Sequence, residues 1–153
     1  MNTVLVSAEQ FKGLNSAVDF NLATEAPTIL VATADRQVSG ALAQLLEPYP
    51  VNTVWVKGLS DAQTWLDTQN IAACLCGFSL EDGNFRDFVK QAKREVAETP
   101  VIIVSTPDRA NEYPEYLAAI NTGAFDFLCF PYRRLELERI LRSAIATRLR
   151  ATR

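Results

Sequence analysis

The sequence contains no histidine, and this absence excludes several kinds of functional site at once. Ser-His and Cys-His catalytic sites, histidine metal sites and histidine proton shuttles all require an imidazole side chain. The three cysteines, Cys74, Cys76 and Cys129, lack the Cys-x-x-Cys spacing that zinc sites and thiol exchange use. Each cysteine lies in an apolar run, so we expect buried thiols in a reducing compartment.

The sequence also lacks the marks of a membrane, secreted or nucleic-acid-binding protein. No apolar run approaches the about 20 residues of a membrane span, and the N-terminus has no basic segment followed by an apolar one. The formal net charge is −3, although seven of the eleven arginines follow residue 132. We therefore expect a cytoplasmic protein that binds neither membranes nor nucleic acid.

Five short apolar runs alternate with helical patterns along the chain. A short run rich in β-branched residues and bounded by turn residues is typical of a strand buried on both faces of a parallel sheet. The runs are residues 28–32, 51–56, 71–76, 101–104 and 125–129. The alternation predicts a three-layer, doubly wound α/β domain whose five parallel strands follow the flavodoxin-like order 2-1-3-4-5.

The position of Pro27 predicts where this domain begins. Proline disfavours helical geometry at the residue before it, so a preceding helix should end there. Residues 1–27 are predicted to be an N-terminal extension, residues 28–150 the domain and residues 151–153 a tail. A capping-box pattern that starts at Ser7 predicts that the extension is partly helical.

Capping residues and apolar spacing predict the helices of the domain. Asp35 and Ser60 are the predicted N-caps of the first two helices. The third helix is predicted to begin near Asn84, and the last near Arg134, with an arginine-rich outer face. Glu138 and Arg142 have the spacing of an ion pair along that last helix.

The carboxyl ends of the strands are the expected place for a functional site. In doubly wound sheets, ligands bind outside those ends, beside the point where the strand order reverses. The predicted sheet brings these residues there: Thr33, Ala34, Asp35, Gly77, Ser105 and Phe130.

The end of the predicted domain carries a series of motifs that point to one family. The fourth run ends at Ser105, a helical segment ends in Thr-Gly-Ala, and the fifth run reads Phe-Asp-Phe-Leu-Cys-Phe-Pro-Tyr. This order resembles the last third of a response-regulator receiver domain of the CheY-like type. There, a strand ending in Ser or Thr and a Gly-Ala turn lead to a strand ending in Lys-Pro. Phe130 takes the position of that lysine.

The resemblance also assigns the other positions of the family's phosphorylation site. The acidic pair after the first strand corresponds to Thr33 and Ala34, and only the following acid, Asp35, is kept. The phosphorylated aspartate corresponds to Gly77. Ser105 matches the hydroxyl residue after the fourth strand, and Phe127 matches the switch aromatic of the fifth.

These substitutions predict that the phosphorylation chemistry is lost. Phosphoryl transfer requires a nucleophile, a cation and oxygen ligands to hold that cation. Thr33, Ala34, Gly77 and Phe130 supply none of these, so we expect no catalytic residue, no metal and no cofactor. Asp82 is the remaining candidate for an acceptor in another register, but its place in a turn before a glycine is typical of a solvated residue.

The resulting hypothesis is a pseudo-receiver that is not an enzyme and acts by protein contact in two-component or phosphorelay signalling. The resemblance implies a contact surface on the fourth helix, fifth strand and fifth helix, for a partner protein or a second copy. Its predicted residues are Tyr116, Phe127, Arg139 and Arg142. An alternative is a small-ligand sensor that uses the apolar former site, lined by Ala34, Phe78 and Phe130.

The resemblance makes one further, purely structural prediction. The Lys-Pro bond of receiver domains is commonly cis, so the Phe130–Pro131 bond is predicted to be cis as well. An aromatic ring before proline offsets part of the small cost of that isomer. The ring of Phe130 is then expected to fill the space that an ion and a phosphoryl group would otherwise occupy.

Overall fold

The structure, a computed structural model, describes residues 2–3, 26–107 and 113–151, and a parallel sheet lies at its centre. The strands of this sheet and the helices that follow them alternate along the chain. In order they are β1 (Thr28–Ala32), α1 (Arg36–Leu46), β2 (Asn52–Val56), α2 (Leu59–Thr68), β3 (Ile71–Cys76), α3 (Phe85–Glu95), β4 (Val101–Val104), α4 (Tyr113–Thr122), β5 (Asp126–Leu128) and α5 (Arg134–Ala151).

The order of the five parallel strands is β2-β1-β3-β4-β5, which confirms the predicted flavodoxin-like topology. A two-residue strand, Asn2–Thr3, pairs antiparallel with β2 at the edge of the sheet and was not predicted. The predicted capping box at Ser7 and the rest of the predicted extension helix lie outside the described residues.

Two apolar cores cover the two faces of the sheet. On one face, α1 and α5 pack against alternate residues of the central strands, including Ile29 and Val31 of β1. On the other face, α2 and α3, with Ala119 of α4, pack against Leu30 and Ala32. Because both faces are covered, the central strands are apolar at nearly every position, as expected for a parallel sheet.

The helix starts agree with the predictions in three cases, one of them α5 at Arg134, and differ in one. Asp35 caps α1, since its carboxylate accepts hydrogen bonds from the N–H groups of Gln37 and Val38. Asn84 caps α3 in a capping box with Asp87. Ser60 does not cap α2, which begins at Leu59 after Gly58 and has no capping side chain of its own.

A small hairpin between β3 and α3 was also not predicted. Its two-residue strands are Ser79–Leu80 and Gly83–Asn84, and they pair antiparallel. The Ala34 N–H donates to the Ser79 carbonyl at 3.3 Å, and the Glu81 N–H donates to the Lys57 carbonyl at 2.9 Å. The hairpin therefore lies against the ends of β1 and β2.

Several element ends and environments differ from the predictions. Strand β5 ends at Leu128, so Cys129 is exposed rather than buried, while Cys74 and Cys76 are buried as expected. Helix α5 extends to Ala151. None of the helices in the described part of the chain is long and apolar enough to cross a membrane.

Candidate functional site

The residues after β1 are used in local structure. The side chain of Thr33 is 5% exposed, and its hydroxyl oxygen accepts a hydrogen bond from the Asp35 N–H at 3.1 Å. The Asp35 carboxylate is held at the start of α1 by the Gln37 N–H at 2.8 Å. Ala34 is exposed. The one acidic residue kept at this end of the sheet therefore serves as a helix cap.

The residue after β3 has no room for a side chain. Gly77 is buried, and its N–H donates to the Ala32 carbonyl of β1 at 2.9 Å. A Cβ atom at Gly77 would lie 2.8 Å from the Thr33 hydroxyl oxygen and 3.2 Å from the Thr33 Cβ. The first distance is shorter than any ordinary contact of a Cβ atom. Thr33 thus fills the space into which a side chain at position 77 would extend.

Asp82 is an exposed turn residue, as predicted, and its carboxylate also caps α2, which was not predicted. Its carboxylate accepts hydrogen bonds from the N–H groups of Leu59, at 2.6 Å, and Ser60, at 3.1 Å. These two N–H groups begin α2, where the helix supplies no partner of its own. The hydrogen bonds to the Leu59 and Ser60 N–H groups hold the pKa of Asp82 below its usual value.

The ends of β4 and β5 are joined through Ser105, which is fully buried. The Ser105 hydroxyl oxygen accepts a hydrogen bond from the Phe130 N–H at 2.7 Å. The Ser105 carbonyl accepts a hydrogen bond from the Tyr132 hydroxyl. Burial, and then the negative charge of Asp35, raise the pKa of Tyr132. Sequence reasoning did not single out Tyr132, because no motif marks it.

The Phe130–Pro131 peptide bond is cis, as predicted. The ring of Phe130 is half-buried and lies edge-on to the ring of Tyr132, with 5.4 Å between ring centroids. The position of the family's lysine is therefore occupied by one member of an aromatic pair. Neither ring can replace the ammonium group in contacting a phosphoryl oxygen.

The three residues predicted to line an apolar pocket, Ala34, Phe78 and Phe130, have different environments. Phe78 is buried, and its ring centroid lies 5.7 Å from that of Phe85 and 5.9 Å from that of Phe127. Ala34 is exposed, and Phe130 packs on Tyr132. The interior below this end of the sheet is thus filled by a cluster of three phenylalanine rings.

The predicted contact residues have different environments. Arg139 is exposed, whereas Phe127 is buried beside Phe78. Arg142 pairs at 2.6 Å with Glu138, which is only 3% exposed and also accepts a hydrogen bond from the Tyr49 hydroxyl. Tyr116 lies in α4, but its side chain is outside the described part of the structure.

Three exposed apolar side chains in the same region were not predicted. They are Leu117 and Ile120 on α4, with exposed fractions of 41% and 37%, and Leu135 on α5, with 73%. Helices α4 and α5 both contact β5, so these side chains flank one edge of the sheet.

The site offers few groups for metal or redox chemistry. Within residues 2–3, 26–107 and 113–151, no three acidic or cysteine side chains cluster in a way that could hold a metal ion. Burial raises the pKa of both Cys74 and Cys76, and burial together with the charge of Glu136 raises that of Cys129. The thiols are therefore protonated at neutral pH, and a protonated thiol is a poor nucleophile.

Comparison with known proteins places this arrangement in a fold class. No family model matches the sequence. The swarming motility regulation protein RssB of Serratia marcescens is 28% identical over 109 residues, which are 71% of this chain and 48% of that protein. The chain thus spans about half the length of the curated relative that it matches.

Three solved receiver domains have the same fold. The signal receiver domain of an HD-domain-containing protein from Pseudomonas fluorescens Pf-5 matches with a TM-score of 0.75 and 20% identity, over 85% of this chain and 94% of that one. A CheY-like receiver domain protein from Methanospirillum hungatei JF-1 matches with a TM-score of 0.69 and 14% identity, over 82% and 98%. The beryllofluoride-activated NtrC4 receiver domain dimer matches with a TM-score of 0.69 and 18% identity, over 79% and 98%. The chain therefore has the fold of response-regulator receiver domains.

Proposed function

We propose that this chain is a pseudo-receiver, which acts by protein contact in two-component or phosphorelay signalling without phosphorylation of an aspartate. In this proposal, residues 28–150 form the receiver-like unit and residues 1–27 form an extension of it. The unit has no enzymatic activity and requires no cofactor.

The observation that carries the proposal is the packing of Thr33 against Gly77. The Cβ atom of an aspartate at position 77, at the end of β3, would lie only 2.8 Å from the Thr33 hydroxyl oxygen. Thr33 cannot easily move aside, because its own N–H is bonded to the Val56 carbonyl at 3.0 Å and its hydroxyl oxygen to the Asp35 N–H. In this proposal, position 77 therefore has no carboxylate to accept a phosphoryl group and no room for the side chain that would carry one.

The remaining polar groups at this end of the sheet already have other partners. Asp35 caps α1, Asp82 holds the start of α2, and the Ser105 hydroxyl binds the Phe130 N–H. A phosphoryl group would need several of these hydrogen bonds to break before it could be bound. The phosphoryl group would have no lysine ammonium group to contact, since Phe130 takes the position of that lysine.

The contact surface of the proposal consists of α4, β5 and α5. Exposed leucine and isoleucine side chains that flank an edge strand are typical of a protein-contact surface. Leu117, Ile120 and Leu135 supply the apolar part, and Arg139 supplies a charge beside it. One of the similar receiver structures is a dimer, so a second copy of the chain is one candidate partner.

Beryllofluoride, which mimics a phosphoryl group on an aspartate, tests the loss of phosphorylation. We expect that beryllofluoride with Mg²⁺ leaves the amide NMR signals of Gly77, Ser105 and Phe127 at their positions in Mg²⁺ and fluoride alone. The Asp82→Asn variant is the matched control, because Asp82 is the one aspartate of the β3–α3 hairpin. Saturable shifts that this variant abolishes would refute the proposal.

Charge substitution on the contact surface tests its second part. We expect Leu135→Glu to weaken self-association in sedimentation experiments, with unchanged thermal unfolding because the side chain is already exposed. Lys90→Glu, on the outer side of α3, is the control and should leave association unchanged. A wild-type monomer would exclude the homodimer and leave a different protein as the partner. Equal association of Leu135→Glu and wild type would exclude this surface for self-contact.

A further inference from the structure

A groove lined by Thr33, on the side of this residue away from Gly77, has no role in the proposed function. It has a volume of about 330 Å³ and lies between α1 and the ends of β1 and β2. This volume is at the lower end of the range for small-molecule sites in proteins. Thr33 separates the groove from Gly77, so the groove is not the space that a phosphoryl group would occupy.

One wall of the groove is formed by the small residues of α1, Ser39, Gly40 and Ala43. A Cβ atom added at Gly40 would meet nothing within 4 Å, so close packing does not require a glycine there. Its φ angle does not require one either, since Gly123 is the one glycine of the described residues with positive φ. Glycine inside a helix is unfavourable relative to alanine. Neither packing nor backbone conformation therefore requires glycine at position 40. The missing side chain does leave this wall of the groove open.

The opposite wall combines an aromatic ring with a positive charge. Trp55 lines the groove, and its indole N–H donates to the Thr53 hydroxyl at 3.1 Å, which fixes the ring. Lys57 is exposed at the end of β2 and has no ion-pair partner among the described residues.

We infer that this groove binds a small planar aromatic anion, such as an aromatic carboxylate. The ring of the ligand lies between Trp55 and the small residues of α1. The carboxylate lies towards Lys57, which supplies an ammonium group. The Asp35 carboxylate, which is close to Thr33 in the chain, accepts hydrogen bonds from the N–H groups of Gln37 and Val38 at the start of α1.

Amide NMR titration with 2-naphthoate tests this inference, with 2-naphthamide as the uncharged probe of the same shape. We expect saturable shifts at Gly40, Trp55 and Lys57. Gly40→Leu, or Ala43→Leu as a second variant, fills the groove and should weaken binding of both probes by at least about tenfold. Lys57→Gln should weaken 2-naphthoate by about fivefold and leave 2-naphthamide unchanged.

Two control variants separate the groove from general effects. Gln44→Leu adds the same side chain to an exposed position of α1, and Lys90→Gln removes a positive charge from α3; both should bind like the wild type. The inference is overturned if 2-naphthoate gives no saturable shifts up to about 5 mM, well above the dissociation constants of specific small ligands. It is equally overturned if Gly40→Leu and Ala43→Leu, each with a folded spectrum, keep wild-type affinity.

Discussion

At the scale of single residues, the proposed function depends most on Gly77. This residue has no side chain, and Thr33 fills the space that one would need. Thr33 and Gly77 form a complementary pair, in which the hydroxyl of one occupies the volume that the other leaves open. The contact is part of the packing between the neighbouring strands β1 and β3.

A double-mutant cycle measures this pairing. Gly77→Ala should lower the free energy of unfolding by about 1–3 kcal/mol, because the added Cβ overlaps the Thr33 hydroxyl. In the Thr33→Ala background the hydroxyl is gone, and the same change should cost at least about 0.5 kcal/mol less. Urea unfolding of the four proteins gives the coupling energy. Additive effects would contradict the pairing.

Tyr49 and Glu138 make a second residue-scale contact, between the end of α1 and α5. The Tyr49 hydroxyl donates to the Glu138 carboxylate at 3.2 Å, and Arg142 balances the charge. Burial first, and then the negative charge of Glu138, raise the pKa of Tyr49 to about 12. The folded protein therefore keeps Tyr49 neutral over a pH range in which the unfolded chain ionises it.

This shift predicts a loss of stability at alkaline pH. The contribution of Tyr49 is fully present below pH 10, the ordinary pKa of tyrosine, and is lost as the pH rises towards about 12. Two pKa units correspond to about 2–3 kcal/mol. The difference in free energy of unfolding between wild type and Tyr49→Phe should shrink by that amount from pH 9 to pH 12. A constant difference would show that the pKa of Tyr49 is ordinary.

At the scale of elements, the hairpin between β3 and α3 supplies what α2 lacks. Helix α2 begins after Gly58, and Asp82 provides the carboxylate for its first N–H groups from 22 and 23 residues away. A Cβ at Gly58 would lie 2.7 Å from the Asp82 carboxylate oxygen, so a side chain there would displace this carboxylate from its present position. The hairpin is thereby fastened to the β2–α2 connection.

The hydrogen bonds from α2 to Asp82 predict that the stability contributed by Asp82 is lost in acid. Because the pKa of Asp82 is lowered in the folded state, its contribution is present above its ordinary value of 3.8 and is lost as the pH falls through the lowered value. Asp82→Asn should reduce the melting temperature at pH 7, and the difference from wild type should disappear in acid. Asp61→Asn, in the first turn of the same helix, is the matched control. A larger loss in the control would contradict the capping role.

The same elements show how far sequence reasoning reaches. The bounds of β1, β3 and β4 were predicted without error, since each is a continuous apolar run with clear ends. The hairpin was missed because two-residue strands have no periodicity to detect. The role of Asp82 was missed because a cap supplied from another loop leaves no local pattern. At the site, the cis bond could be predicted, but the inward packing of Phe78 depends on tertiary contacts with Phe85 and Phe127.

At the scale of the whole molecule, the chain combines the fold of receiver domains with a packed contact between Thr33 and Gly77 and with exposed apolar side chains on α4 and α5. The N-terminal extension touches this unit where Asn2–Thr3 pairs with β2, at Asn52 and Thr53. Two residue pairs form this edge contact, and the core residues in the described part of the chain begin at Ile29.

Removal of residues 1–24 tests whether the unit from residue 28 folds alone. We expect the shortened chain to unfold cooperatively, with a modest loss of stability from the exposed edge of β2. Urea denaturation followed by circular dichroism and by tryptophan fluorescence should give coincident transitions. Separate transitions, or no cooperative unfolding, would show that the extension is part of the core.

Intact-mass spectrometry after incubation with acetyl phosphate and Mg²⁺ tests the central claim most directly. The proposal predicts one unmodified species over the time in which an active receiver domain would acquire a phosphoryl group, and the same result for the Asp82→Asn and Asp35→Asn variants. A mass increase of one phosphoryl group in the wild type, lost in either variant, would identify a working acceptor and contradict the claim.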